Sequence, residues 1–426
     1  MRTAVYAEPL ERHTVPEGVR HLKDSVFNDL WEKRSVFVSY SINTDISKTE
    51  LLDFSQKSQY TQKHAFTKDD TKAMKGIAVV LMMLHHLWGF PNRLPMDKQL
   101  CGFEIMVYGK DLMYVVGTFG KICVAIFSFL GGYGLWKKTR SSYSLTSDII
   151  RLYKALWKVA IIYVPIGILF FSNQPDYAEN SVFCHVFDDA SLKNIVSNAL
   201  GLSASYNREW WFFQTYLGAL VMGYIFISVD KIDNFWVDAF IVVLIEIATQ
   251  KILPAMFAAE NYQALRNDMF YYLLIAFKGC VCAFFMGIVF AKYDAMVSLR
   301  ERYVQTVKTQ VGRLVVSFIG ICSIFICRQI CIDADYDMFY VPFWILFCCE
   351  WLDRLKSLGK LFGVLGKHST NMWLIHSFYC YYFFPVARFV CWSKNPFVSL
   401  FVLTVMSFIS SVVLDWMAGV IGQRTL

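Results

Sequence analysis

The stretch from Lys75 to Pro91, KGIAVVLMMLHHLWGFP, places a lysine at the start of an apolar helix and two adjacent histidines near its end. An α-helix turns about 100° per residue, so the steps from Lys75 to His86 return to within about 20° of one face, whereas His85 points about 80° away. His86 lies about 16 Å along the axis from Lys75, roughly halfway through a hydrocarbon layer of about 30 Å.

These histidines have two interpretations. An ionisable side chain at that depth is costly and usually faces a bundle interior or a water-filled cavity, which predicts a functional site at His86. The alternative is that one or both histidines only hydrogen-bond between helices, as polar side chains commonly do in membranes. The pattern of this stretch leaves both interpretations open.

The composition predicts a polytopic membrane protein. Of the 426 residues, 56% are hydrophobic and 17% aromatic, and several apolar runs are long enough to cross a bilayer. The net charge of +7 comes from basic residues near the ends of these runs, without a nucleic-acid-binding motif, so we expect no nucleic-acid partner. The fold class is therefore all-α, a membrane helical bundle.

The twelve cysteines lie mainly in the apolar runs. They lack the paired spacing of a zinc site, so no metal is predicted. Cys101 and Cys184 fall in two predicted outside loops and are candidates for a disulfide, although the sequence does not give the distance between them.

Two domains are expected. Residues 1–70 form a polar cytoplasmic extension without a signal peptide, and residues 71–426 form the transmembrane domain. Within the extension, apolar residues at helical spacing predict one amphipathic helix that lies on the membrane or packs on cytoplasmic loops: Leu22, Val26, Phe27, Leu30 and Trp31.

The transmembrane domain is expected to have about ten spans and a short outside helix in SLKNIVSNAL. Their approximate ranges are 75–91, 112–136, 151–171, 208–229, 236–250, 271–291, 314–331, 338–352, 369–389 and 397–420. Lys and Arg are more frequent in the loops that this count assigns to the inside, which predicts that both termini are cytoplasmic.

Several motifs follow one another in an order that resembles the acyltransferase 3 family of integral membrane O-acyltransferases. They are Lys75 and His86 with ten residues between them, the run GKICVAIFSFLGGY, the pair Arg151 and Lys154, the pair Trp211 and Phe212, and the late His376. The resemblance extends over about residues 72–420.

The sequence departs from the family pattern at three positions. Lys75 replaces the commoner arginine, Gly131 stands where serine is usual, and Lys154 replaces the second arginine. Lysine keeps the charge but lacks the planar guanidinium, so a bidentate contact from Lys154 to phosphate is not expected.

The resemblance implies a function and a set of site residues. The family transfers an acyl group, here expected to be acetyl from cytoplasmic acyl-coenzyme A, to a hydroxyl of a surface polysaccharide or related glycan, in the cytoplasmic membrane of a bacterium. The implied catalytic residues are His86 and His376, the implied donor contacts are Lys75, Arg151 and Lys154, and the candidate substrate contacts are Glu209, Trp210 and Trp211.

Other roles remain open at this point. Lys154 also suits a positive-inside anchor, the two tryptophans suit an interfacial belt, and Glu209 suits a pair with Arg208. His86 would act either as a base on the acceptor hydroxyl or as the first acceptor of the acyl group.

Two other classes of protein also fit parts of the sequence. A transporter or flippase would use the histidines as a proton relay, but no inverted repeat or matched pair of broken spans supports it. A non-catalytic membrane sensor would use the N-terminal extension.

Overall fold

The computed structural model describes residues 66–139, 144–252, 255, 281–330 and 336–424, which are predominantly helical and fall within one compact unit. The predicted amphipathic helix around Leu22 to Trp31, and residues 271–280 of the predicted sixth span, lie outside these residues. The predicted domain boundary near residue 70 stays a prediction. Within the described residues, the sheet is one short hairpin in which β1 (Met106–Val107) pairs antiparallel with β2 (Lys110–Asp111).

The helices of the described residues are numbered in chain order. They are α1 (Lys68–Trp88), α2 (Leu112–Phe119), α3 (Ile122–Thr139), α4 (Leu145–Phe170), α5 (Leu192–Ala199), α6 (Trp211–Val229), α7 (Phe235–Ile247), α8 (Val281–Lys292), α9 (Ala295–Thr306), α10 (Gln310–Ile330), α11 (Asp337–Arg354), α12 (Lys356–Ser377), α13 (Phe384–Val390) and α14 (Pro396–Arg424). Short 3₁₀ turns precede α6 and follow α1, and π-helical turns follow α7 and α12.

Glycines let α1 and α12 pack with their backbones in contact. A Cβ atom added at Gly76 would lie 1.9 Å from the carbonyl oxygen of Phe362, and one added at Gly366 would lie 1.8 Å from that of Lys72. Small residues permit such close approach between membrane helices, and α3 meets α8 in the same way. The α1–α12 packing brings the histidines of the two helices to one place in the bundle.

Several of the helices are suited to cross a membrane. Five segments are long and apolar enough among the described residues: Leu112–Thr139, Leu145–Phe170, Arg208–Val229, Gln310–Ile330 and Pro396–Val420. Helices α8 and α9, bent by 73° at the break between them, make a sixth if they form one span. Helices α1, α7 and α11 also lie where spans were predicted. The count of ten and the orientation of the termini stay predictions.

Some local predictions can be compared with the described residues. The short helix predicted in SLKNIVSNAL is confirmed as α5. The ninth span was predicted over 369–389, but α12 begins at Lys356 and ends at Ser377, followed by the π-helical turn Phe378–Tyr382 and α13. The lysines in the first half of α12 made that segment resemble a loop. Cys101 and Cys184 are both free thiols, so the candidate disulfide is not formed.

Candidate active site

His86 lies at the end of α1 and its side chain is buried. The hydroxyl of Tyr381, in the π-helical turn after α12, donates to the main-chain carbonyl oxygen of His86 at 2.6 Å and lies 3.3 Å from its Nδ1. Because the hydroxyl proton is directed at the carbonyl, the phenolic oxygen is left to accept from Nδ1. This arrangement favours the tautomer of His86 in which Nδ1 carries the proton and Nε2 has a free lone pair.

Nε2 of His86 faces an acidic side chain. Glu209 lies in the 3₁₀ turn before α6, and its Oε2 is 3.5 Å from Nε2. Its Oε1 accepts a hydrogen bond of 3.0 Å from Arg93, whose guanidinium stacks over the ring of Phe90 at 3.6 Å. The suggested pair of Glu209 with Arg208 is therefore wrong, since the partner comes from the turn after α1. A paired carboxylate in this position can stabilise positive charge on His86.

His85 has a different environment. Its Nδ1 donates to the carbonyl oxygen of Gly117 at 2.8 Å, at the end of α2. Helices α2 and α3 are separated by Gly120 and Lys121. Arg328 donates to the carbonyl oxygens of Thr118 and Phe119, which lie at this break. His85 thus satisfies a helix end, as the alternative of interhelical hydrogen bonding predicts for it.

His376 is fully buried on α12 and contacts the ring of His86, with 4.8 Å between the ring centroids. Its Nδ1 donates to the carbonyl oxygen of Trp373 at 2.7 Å. Its Nε2 has no hydrogen-bond partner among the described residues. The described lining of the cavity beside His86 does not include His376, so its contact with that cavity is made through the ring of His86.

A cavity of about 260 Å³ lies beside His86, and we call it the histidine cavity. Its described lining is Met82, His85, His86, Phe90, Arg93, Lys121, Cys123, Val124, Phe127, Glu209, Trp211, Phe212 and Trp373. His85 therefore reaches the same space as His86 although it points from another face of α1. The cavity brings a base, a carboxylate and two cations together beside an apolar wall.

A second cavity, of about 1040 Å³, lies toward the beginning of α1, and we call it the cation-lined cavity. Its described lining includes six cationic side chains, Lys75, Lys138, Arg151, Lys154, Lys158 and Lys367, and two carboxylates, Asp148 and Asp415. All three of the residues predicted to contact donor phosphates, Lys75, Arg151 and Lys154, lie in this lining. The excess of positive charge suits an anionic ligand.

Not all of these cations are equally available to a ligand. Arg151 and Lys138 both contact Asp148, and Lys158 contacts Asp415. Lys75, Lys154 and Lys367 make no ion pair with a described carboxylate. We therefore expect these three lysines to offer their charge to a ligand more fully than Lys138, Arg151 and Lys158 do.

The two cavities adjoin each other. Phe127, Phe212 and Trp373 belong to the described lining of both, and the rings of Phe212 and Trp373 are in edge-to-face contact at 5.3 Å. Helix α1 contributes Lys75 to one cavity and His86 to the other. These three aromatic rings therefore form part of the wall of each cavity.

The predicted substrate contacts divide into two groups. Glu209 and Trp211 line the histidine cavity. Trp210 lines neither cavity in the described residues, because its indole is buried and donates to the carbonyl oxygen of Leu374 at 3.1 Å. Its proposed contact with substrate stays a prediction, and its position also suits a role in joining α6 to α12.

Comparison with protein families identifies a matching family model. A family model described as an acyltransferase domain, that of acyltransferase 3, matches residues 70–416. The chain belongs to the acyltransferase 3 family. With its long apolar helices, this acyltransferase 3 protein is an integral membrane acyltransferase. No curated protein matches the chain.

The match extends from α1 into α14 and includes the described lining of the histidine cavity and that of the cation-lined cavity except Met417 and Ala418.

Sequence reasoning missed several residues of the site. Arg93, Tyr381 and Lys158 have no motif of their own, and only the packing of distant segments brings them to it. The available signal for Lys158 was its place inside the predicted third span, 151–171.

Proposed function

We propose that this protein transfers an acetyl group from cytoplasmic acyl-coenzyme A to a hydroxyl of a surface polysaccharide or related glycan. The observation that carries this proposal is the pair of adjoining cavities, one lined by cations and one containing His86. Membership of the acyltransferase 3 family supports acyl transfer over the transporter and sensor alternatives. A bacterial cytoplasmic membrane is the proposed location.

The cation-lined cavity suits the donor. Coenzyme A is a polyanion, and contacts between cations and phosphate are among the stronger hydrogen bonds. The cavity volume of about 1040 Å³ lies at the upper end of the roughly 300–1,000 Å³ typical of small-molecule sites. The phosphates would bind near Lys75 and Arg151, and the acyl end would extend past Phe127 toward His86.

His86 is the proposed general base. As the acceptor hydroxyl oxygen attacks the thioester carbonyl carbon, Nε2 of His86 takes the hydroxyl proton. The carbon–sulfur bond then breaks, and the proton passes from His86 to the departing thiolate, which restores the neutral imidazole. Glu209, held by Arg93, stabilises the imidazolium that exists between these two steps. Tyr381 keeps Nε2 pointed at the reaction.

Two measurements test this function. Purified protein is given labelled acetyl-coenzyme A and a surface-glycan preparation from cells that lack the protein, and the label should move to the glycan. Mass spectrometry of surface glycans from cells with and without the protein should then show acetyl groups only in its presence. Binding of coenzyme A without transfer of label to any glycan fraction would overturn the proposal.

A further inference from the structure

The lining of the histidine cavity contains two chemically different sets of side chains. One set binds polar atoms or protons: His85, His86, Arg93, Lys121 and Glu209. The other set, Met82, Cys123 and Val124, is apolar and is absent from the described lining of the cation-lined cavity, and we call it the apolar patch. Only the first set suits an acceptor hydroxyl, so the apolar patch suits a different group.

Helix α3 places part of the apolar patch near Phe127, which the proposed donor passes on its way to His86. Phe127 lines both cavities, whereas Val124, three residues earlier on α3, lines only the histidine cavity. Three residues correspond to a rise of about 4.5 Å along the helix. A group that passes Phe127 from the cation-lined cavity therefore meets Val124 and Cys123 within a few bond lengths.

Helix α1 contributes Met82 to the apolar patch. Met82 precedes His86 by one helical turn, so both side chains lie near one face of α1 and line the cavity together. Met82 and Cys123 are buried, with 5% and 2% of their surfaces exposed. The apolar patch therefore belongs to the same small cavity as the proposed base.

We propose that Met82, Cys123 and Val124 form an acyl-binding subsite that admits a short, uncharged acyl group and excludes longer or charged ones. The inference rests on the proposed function, since it assumes that a thioester reaches His86 from the cation-lined cavity. The histidine cavity, at about 260 Å³, is smaller than the roughly 300–1,000 Å³ of sites that hold a whole small ligand, and it must also admit the acceptor hydroxyl. A charged acyl terminus would have no partner on the apolar patch.

The subsite is tested by donor chain length. Acetyl-, propionyl- and butyryl-coenzyme A are compared as donors for the purified protein with the same glycan preparation. A methylene that a pocket cannot accommodate changes kcat/KM by about 10- to 200-fold, so the wild-type protein should lose at least about tenfold from acetyl to propionyl. Butyryl should be poorer still.

Two variants enlarge the subsite. Val124→Ala and Met82→Ala should each raise the butyryl-to-acetyl ratio of kcat/KM by about tenfold or more, because each removes side-chain atoms from the proposed acyl-binding subsite. Val237→Ala is the matched control, since Val237 is 43% exposed on α7 and lines neither cavity in the described residues. It should leave the ratio at the wild-type value. Titration with free coenzyme A verifies that each variant keeps its donor site.

The outcomes separate the subsite from the function. If the wild-type protein transfers acetyl but the chain-length ratio is unchanged in Val124→Ala and Met82→Ala, both with normal coenzyme A affinity, the subsite is wrong and the function stands. If the wild-type protein transfers no acyl group from any of the three donors, the proposed function itself fails. Equal wild-type rates with acetyl and butyryl would also overturn the subsite.

Discussion

The phenolic hydroxyl of Tyr381 lies against both the main chain and the ring of His86, donating to the carbonyl oxygen at 2.6 Å and lying 3.3 Å from Nδ1. Tyr381 lies in the π-helical turn after α12 and is fixed by a residue from another segment, because the hydroxyl of Tyr177 donates to the carbonyl oxygen of Tyr381 at 2.7 Å. One side chain thus contacts both the main chain and the ring of the proposed base.

Tyr381→Phe should therefore lower kcat while leaving donor affinity nearly unchanged. General-base catalysis contributes about 10²- to 10⁴-fold, so loss of its orientation is expected to cost about 100-fold in kcat. Tyr382→Phe is the matched control, because Tyr382 is equally buried but its hydroxyl accepts the N–H of Arg208 at 2.9 Å. Equal losses of kcat in the two variants would show that burial, and not orientation of His86, explains the effect.

Coenzyme A binding should depend on Lys75 more than on Arg151. Lys75 makes no ion pair with a described carboxylate, whereas Arg151 already contacts Asp148. A charge-assisted contact contributes about 1.5–3 kcal/mol, so Lys75→Ala should weaken binding by about 10- to 100-fold, and Arg151→Ala by about 10-fold at most. Calorimetric titration with coenzyme A measures both variants.

The control for donor binding is Lys193→Ala, because Lys193 is an exposed cation of α5 that lines neither cavity in the described residues. The losses at Lys75 and Arg151 should shrink as salt concentration rises, since salt screens charge–charge contacts. Normal coenzyme A affinity in Lys75→Ala would contradict the placement of the donor in the cation-lined cavity.

Local periodicity could predict that Lys75 and His86 lie on one face of α1. A helix turns by a regular angle per residue, so this shared face followed from the spacing of the two residues alone. Arg93 and Tyr381 could not be predicted in this way. Tyr381 is 295 residues from His86 in the chain, and the two meet because glycines bring α1 and α12 into backbone contact.

Hydropathy predicted the long apolar helices better than the polar or broken ones. One span was predicted over 112–136, but the segment Leu112–Thr139 is divided between α2 and α3 at Gly120 and Lys121. The break is stable because His85 and Arg328 bond the carbonyl groups that it exposes. Neither partner is close in sequence to the break, so a local pattern does not reveal it.

Stability should depend on pH through His185, in the loop between α4 and α5. Both ring nitrogens contact carboxylates, Nδ1 with Asp188 at 2.8 Å and Nε2 with Asp176 at 2.9 Å. Hydrogen bonds to Asp176 and Asp188 raise the pKa of His185 above its ordinary value of 6.5. The stabilisation is thus complete below about pH 6.5 and is lost as pH rises through the raised pKa.

The pH effect is measured by thermal unfolding of the purified protein from about pH 6 to about pH 9. The wild-type protein should lose stability over this range relative to His185→Gln, which cannot carry the charge. A difference between the two that stays constant with pH would exclude protonation of His185 as its cause.

The predicted orientation is tested by thiol labelling of intact cells. In a cysteine-reduced background, single cysteines at Asn180 and Ser393 should react with a membrane-impermeant reagent, because both lie in loops assigned to the outside by their charge pattern. A cysteine at Ser357, exposed at the start of α12 and assigned to the inside, should react only after the cells are opened. Labelling of Ser357 in intact cells would overturn the orientation.

The most direct test of the account compares His86→Ala with His85→Ala in the transfer of label from acetyl-coenzyme A to the glycan preparation, with coenzyme A titration of the same samples. The two histidines are adjacent, but only His86 faces Glu209, and only His85 bonds the end of α2. His86→Ala should bind coenzyme A with near wild-type affinity and transfer no measurable label, whereas His85→Ala should keep substantial transfer. Wild-type transfer by His86→Ala would contradict the assignment of His86 as the base.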